Sequence, residues 1–257
     1  MPLRRLLPAY VAALIASLIP ASRAGAQQWS AEHWADTVSV AIDAATRSGD
    51  VGRLEATRSL VARATAAYPD DPLLRHYEGF LLYRLVTVGG ATLGPPITTA
   101  YLDGARDALE RSVARRPMAE SYLLLSEIYS RQAAADPAHA AALGAAVALE
   151  RARAMSLGAR NPRVYLLAGI AALYAGEDAG GGTAAAERLL TRAVELFGHD
   201  GAHPPDPTWG RAEAYAWLGQ VYERTGRKPA AAESYERALA LEPDNVWVRD
   251  VLLPAVR

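Results

Sequence analysis

The chain has 257 residues, 51% of them hydrophobic, enough for one large or two ordinary domains by length, and its 27 basic and 28 acidic residues leave a formal charge of −1. It holds no cysteine, which excludes disulfide frameworks, thiol nucleophiles, cysteine zinc sites and lipoprotein anchoring, and leaves His and carboxylates as the only metal ligands. Nucleic acid is not an expected partner, because the basic footprint it requires is missing.

Met1–Ala26 reads as a secretory signal peptide: Arg4 and Arg5 form the charged start, Leu6–Ile19 the apolar run, and Ala24-Gly25-Ala26 a small-x-small cleavage site before Gln27. The apolar run, interrupted by Pro8 and Ser17, falls short of the roughly 20 residues that span a bilayer. Cleavage after Ala26 and a periplasmic or secreted location are therefore expected, with membrane contact only if the segment stays uncleaved. Arg4-Arg5 is a weak match to a twin-arginine signal, and an ordinary charged start is the simpler reading. Residues 1–26 hold three Arg and no acid, so the remainder carries 24 basic and 28 acidic residues, a net of −4.

Gln27–Thr37 is a lead-in, with Ser30 placed to cap a helix carrying Trp34, Val38 and Ile42. Trp29 and Trp34 are expected to cover the open end of the first helix pair. Further on, Gly89-Gly90-Ala91-Thr92-Leu93-Gly94-Pro95-Pro96 is a run that breaks a helix. It matches neither GxGxxG nor GxxxxGK[ST], so a flexible connector is preferred to a phosphate cradle, with a loop over the binding surface as the alternative. Asp136-Pro137 marks the start of an alanine-rich helix running to Leu157, and Gly180-Gly181-Gly182 marks another interruption. The segment from His199 to Arg211, HDGAHPPDPTWGR, reads as a surface loop, since Gly201 and Pro204-Pro205 forbid a helix that would align His199 and His203 on a metal.

Ala212–Asn245 is the most regular stretch. Tyr215, Leu218, Gly219 and Tyr222 recur at helical spacing, followed by Ala231, Tyr235, Ala238 and finally Pro243. Small residues at Gly219, Ala231 and Ala238 let two helices approach closely, and the three tyrosine rings fill the space left between them. Thr225-Gly226 makes the turn, Pro229 sits in the first turn of the second helix, and Pro243 stops it. Such a hairpin cannot bury its apolar face alone, so neighbours are expected. A short capping helix over Val246–Leu253, with Trp247 packed inward, would close the end.

These thirty-four residues resemble a tetratricopeptide repeat, filling its positions four, seven, eight, eleven, twenty, twenty-four, twenty-seven and thirty-two. The resemblance implies an all-α, right-handed solenoid of antiparallel helix pairs. Earlier units in the same register fall at about 38–71, 72–118, 119–161 and 162–200, the first a weak match. In the second, Gly79 stands at eight and Ala105, Leu109, Ser112 and Pro117 at twenty to thirty-two, with 14 residues inserted between the helices. The third has Tyr122, Leu125, Ser126 and Tyr129 with Ala154 at twenty-seven; the fourth has Tyr165, Gly169, Ala186, Leu190 and Ala193.

The resemblance also implies a concave groove lined by the first helix of each pair. The groove positions hold His76, Phe80 and Tyr83, then Leu123, Glu127 and Arg131, then Leu166, Ile170 and Leu173, and last Gln220, Glu223 and Arg224. Leu123, Leu166 and Ile170 serve equally well as groove residues or as core, the latter including cover by the inserted loops. Phe80, Glu127, Ile170 and Gln220 stand where some members grip a carboxylate with Lys and Asn, so that clamp is absent in its usual form. His33, His76 and His139 are scattered, and neither HExxH nor GxSxG occurs. The expectation is a non-catalytic, cofactor-free and metal-free module that binds a protein or peptide as adaptor or assembly factor, the alternative being a small-molecule carrier working with an envelope transporter or enzyme.

Overall fold

The computed structural model describes residues 29–257, so the signal-peptide reading of Met1–Ala26 lies outside the described residues. Eleven α-helices and no strand occur among them: α1 (Ala31–Arg47), α2 (Val51–Ala67), α3 (Pro72–Gly89), α4 (Pro95–Arg115), α5 (Ala119–Ala135), α6 (Ala140–Leu157), α7 (Pro162–Tyr174), α8 (Thr183–Phe197), α9 (Arg211–Arg224), α10 (Lys228–Leu241) and α11 (Leu253–Val256). Consecutive helices pair into five hairpins, and α1, α3, α5, α7 and α9 pack against one another in turn along the inner face. This is the expected solenoid of antiparallel helix pairs.

Local chemistry sets the helix starts. Ser30 caps α1 by accepting from the His33 amide at 3.1 Å, and Asp50, Asp71 and Asn161 cap α2, α3 and α7 in the same way. Pro72 and Pro162 follow their caps at a position where the missing N–H costs nothing. Because α1 begins at Ala31, the second half of the lead-in forms its first turns.

Packing within the hairpins follows the small residues. A Cβ on Gly79 would lie 2.5 Å from Leu109 Cγ, one on Gly169 would lie 2.6 Å from Leu190 Cγ, and Gly219 faces the Tyr235 ring as closely. The same pair of positions therefore meets in three hairpins. Ala64, Ala105, Ala154, Ala186, Ala193, Ala231 and Ala238 are all fully buried at the small-residue positions.

The insertion in the second hairpin is not a long connector. Its residues lengthen α3 and α4, and the break shrinks to a 3-10 turn over Gly90–Leu93, with Gly90 and Gly94 at φ +49 and +71. That turn is largely exposed. In the fourth hairpin the interruption is a 3-10 turn around which Gly180 and Gly182 take positive φ. Helix α6 is peripheral: it packs on α5 and buries only Glu150 and Ala154. At the C-terminus a π turn over Val248–Leu252 runs into α11, and Val248, Leu252, Leu253 and Val256 cover the end of the last hairpin. Tyr68 donates from its hydroxyl to the Trp29 carbonyl at 2.8 Å, and Trp29 packs against Trp34, tying the N-terminal tryptophans over the first hairpin.

Candidate functional site

The inner face of the array is occupied by the chain itself. The segment between α8 and α9, read from its prolines and glycines as a surface loop, crosses the concave side. Trp209 is buried there and stacks on Phe80 of α3, with centroids 4.7 Å apart and planes 18° from parallel. The Tyr77 hydroxyl donates to the Pro205 carbonyl at 2.7 Å. Gly210 packs where a Cβ would stand 2.8 Å from Leu166 and 3.1 Å from Phe197. Arg163, almost fully buried, reaches from α7 to Asp200 at 2.7 Å and lies near the Trp209 ring. Asp200, considered in the sequence beside His199 and His203 for a metal, thus has a structural partner, and both histidines are exposed.

This arrangement corrects the groove as an open surface. His76, Phe80, Tyr83, Leu123, Leu166, Ile170 and Leu173 are buried, and so is Glu127, beside Arg151. Phe80 and Leu166 lie directly under the crossing segment. Gln220 and Glu223 bond the Tyr235 hydroxyl of their own hairpin. Arg224 donates to the Leu173 carbonyl and lies over the Tyr174 ring, while Arg131 lies over the Tyr83 ring. Only Arg131 and Arg224 of the twelve are exposed.

Burial under the segment changes the chemistry of His76. Its Nδ1 is hydrogen-bonded with the Ser121 hydroxyl at 2.9 Å, and its Nε2 has no partner. Desolvation, aided by the charges of Arg116 and Arg163, pushes its pKa down to about 3, so the ring is neutral.

The two ends of the array meet. Arg47 at the end of α1 pairs with Asp244 beyond α10 at 3.2 Å, and Gly49 lies against Val246. Deeper in, the Arg84 guanidinium of α3 grips the Glu213 carboxylate of α9 through two parallel bonds of 2.9 and 2.5 Å. Burial opposes the charge on Glu213, but the Arg84 charge and hydrogen bonds outweigh it and hold the carboxyl below its usual range. Along this seam is a cavity of about 460 Å³, of the size that takes a small ligand or a side chain. Trp209, Trp217 and Trp247 line it together with Asp43, Arg84 and Glu213. Trp217 and Trp247 form one corner, their rings 5.3 Å apart and inclined at 52°. Trp247 therefore packs against the cap's core and also forms a wall of the cavity. The cavity was not legible in the sequence, because its walls come from opposite ends of the chain.

Residues 212–245 match the family model of the tetratricopeptide repeat. That hairpin is a tetratricopeptide repeat. Among solved structures it is similar to TTC0263, a thermophilic tetratricopeptide repeat protein of Thermus thermophilus, at 22% identity over 88% of this chain and 98% of that one, with a TM-score of 0.58. A match to the MamA protein has 15% identity, covers 85% of this chain and 96% of that one, and has a TM-score of 0.36. No curated protein matches this chain.

Proposed function

We propose that this protein is an exported, non-catalytic interaction module of the cell envelope that engages a protein or peptide partner at the seam cavity instead of along the concave face. The observation that carries the reading is the closure of the array around its own 199–210 segment, beside which lies a tryptophan-lined cavity walled by α1, α3, α9 and the chain beyond α10. Aromatic walls supply large contact area at low entropic cost, which is what anchors a partner's side chain. The test is capture from periplasmic extract by the chain beginning at Gln27. Trp247→Ala and Trp217→Ala are expected to lose the proteins captured by the wild type while keeping helical content, and undiminished capture by both variants overturns the seam as the site. Export is tested separately by the N-terminus of the chain recovered from the envelope: Gln27 supports it, and an intact Met1 in the cytoplasm overturns it.

A second reading, a small-molecule carrier working with an envelope transporter or enzyme, draws on the volume of the same cavity. Thermal shift against a metabolite panel separates the two, because a compound that binds only the folded state raises Tm.

A further inference from the structure

The charges around the seam cavity are unevenly matched. Both arginines on its wall are engaged: Arg84 is forked onto Glu213, and Arg47 is paired with Asp244. Two carboxylates are not. Asp43, half-buried on α1, has no ion-pair or side-chain hydrogen-bond partner among the described residues. Glu242, also half-buried, accepts a bond from its neighbour Asn245 at 3.0 Å and has no cation within ion-pair distance among the described residues. Both line the same cavity as Trp209, Trp217 and Trp247.

A bound anion would face two carboxylates, and a neutral apolar group would desolvate them without return. A cation meets both demands of the wall, since indole faces attract positive charge and the carboxylates lack a counter-ion. The absence of a free guanidinium or ammonium in the wall leaves that place to the ligand. We propose that the seam cavity binds an alkylammonium group, carried by a lysine side chain of a partner or by a free primary amine, with Asp43 and Glu242 as its counter-ions and the indoles of Trp217 and Trp247 as its apolar walls. This rests on the reading of the seam as the binding site and names the chemistry it selects.

Burial raises the pKa of Asp43 to about 6, against the lowering charges of Arg84 and Arg47 and with the like charges of Glu242 and Glu213. A cation placed beside it favours the ionised form, so binding near pH 6 releases protons and weakens as pH falls below that value.

The experiment is a tryptophan-fluorescence titration of the chain beginning at Gln27 with N-acetyl-lysine methylamide, putrescine and a lysine-centred pentapeptide. The norleucine methylamide and norleucine pentapeptide serve as neutral controls. Saturable binding of the charged probes at least tenfold tighter than the controls is expected, reduced tenfold or more in Asp43→Asn and again in Glu242→Gln, each checked for native helical content. Tighter binding of the pentapeptide than of putrescine assigns the group to a partner's lysine, and the reverse order assigns it to a free amine. Equal affinity for lysine and norleucine probes, or no saturable response to any charged probe, overturns the proposal. Should capture of partners depend on Trp247 while no amine binds, the seam stands and the cation falls. Should amines bind while capture ignores Trp217 and Trp247, the cation site stands and the interaction reading falls.

Discussion

Trp209 lies flat against Phe80, a ring of the crossing segment on a ring of α3, and Arg84 sits within cation–π reach of both. The stack is where the segment between the fourth and fifth hairpins is fastened to the inner face. Trp209→Ala removes the anchor and leaves Phe80 uncovered, at a cost of about 3–5 kcal/mol. Urea unfolding followed by circular dichroism should show a lower midpoint with the native helical signal kept in water. A midpoint unchanged from wild type would mean the segment is not fastened there.

His76 makes stability fall in acid. Its folded pKa is depressed to about 3, so the unfolded chain binds the extra proton between about pH 6.5 and 3, and stability is lost as pH drops through that window. In His76→Leu the Tm-against-pH curve should be flatter over the same interval. Ser121 keeps the Ser112 hydroxyl as a partner in that variant, at 3.3 Å. An identical acid slope in both proteins would refute the assignment to His76.

Asp43 acts in the opposite direction. Its folded pKa is raised to about 6, so the folded chain holds the extra proton between about pH 4 and 6, and that stabilisation is lost as pH rises through the folded value. Asp43→Asn should melt above wild type at pH 7.5, by on the order of 1–3 kcal/mol, with the gap closing by pH 4. A lower Tm at pH 7.5 would show that Asp43 has a stabilising partner.

The fork between Arg84 and Glu213 is nearly dry, and removing one side strands the other. Glu213→Ala alone should cost about 3–5 kcal/mol, whereas pairing it with Arg84→Met should recover most of the loss. A double-mutant cycle by chemical denaturation measures the coupling, and additivity of the two changes would mean the charges do not sense each other.

Gly169 and Gly144 separate close approach from mere helix propensity. Gly169→Ala drives a methyl into Leu190 and should cost about 1–3 kcal/mol. Gly144→Ala, on the exposed face of α6 with open space around it, should gain about 0.5–1 kcal/mol. Equal effects on thermal melting would remove the packing explanation for Gly169.

The glycines at 79, 169 and 219 were legible in the sequence because a helix pair has one close crossing and its residues repeat at fixed spacing. The inner face was legible in part. Register places His76, Phe80 and Leu166 there, but nothing local says that the same chain returns to cover them. The segment 199–210 carries every mark of a loop, and Gly201 with Pro204-Pro205 does keep it from being helical. Its one signal was Trp209, a large apolar ring in a polar stretch, and the apolar residues at the groove positions were its counterpart. The seam cavity has Asp43 and Trp247 in one lining although more than 200 positions separate them, which neither neighbourhood records.

The pairing of Arg47 with Asp244 across the two ends has a consequence for how this protein comes apart. In an open array the terminal repeats each have a single neighbour, and unfolding begins by fraying there. Here the last hairpin is tied to the first through that pair and to the second through the Arg84–Glu213 fork, so neither terminal hairpin is a free end. Opening at the seam exposes both terminal hairpins at once, and the array loses its weak points only together.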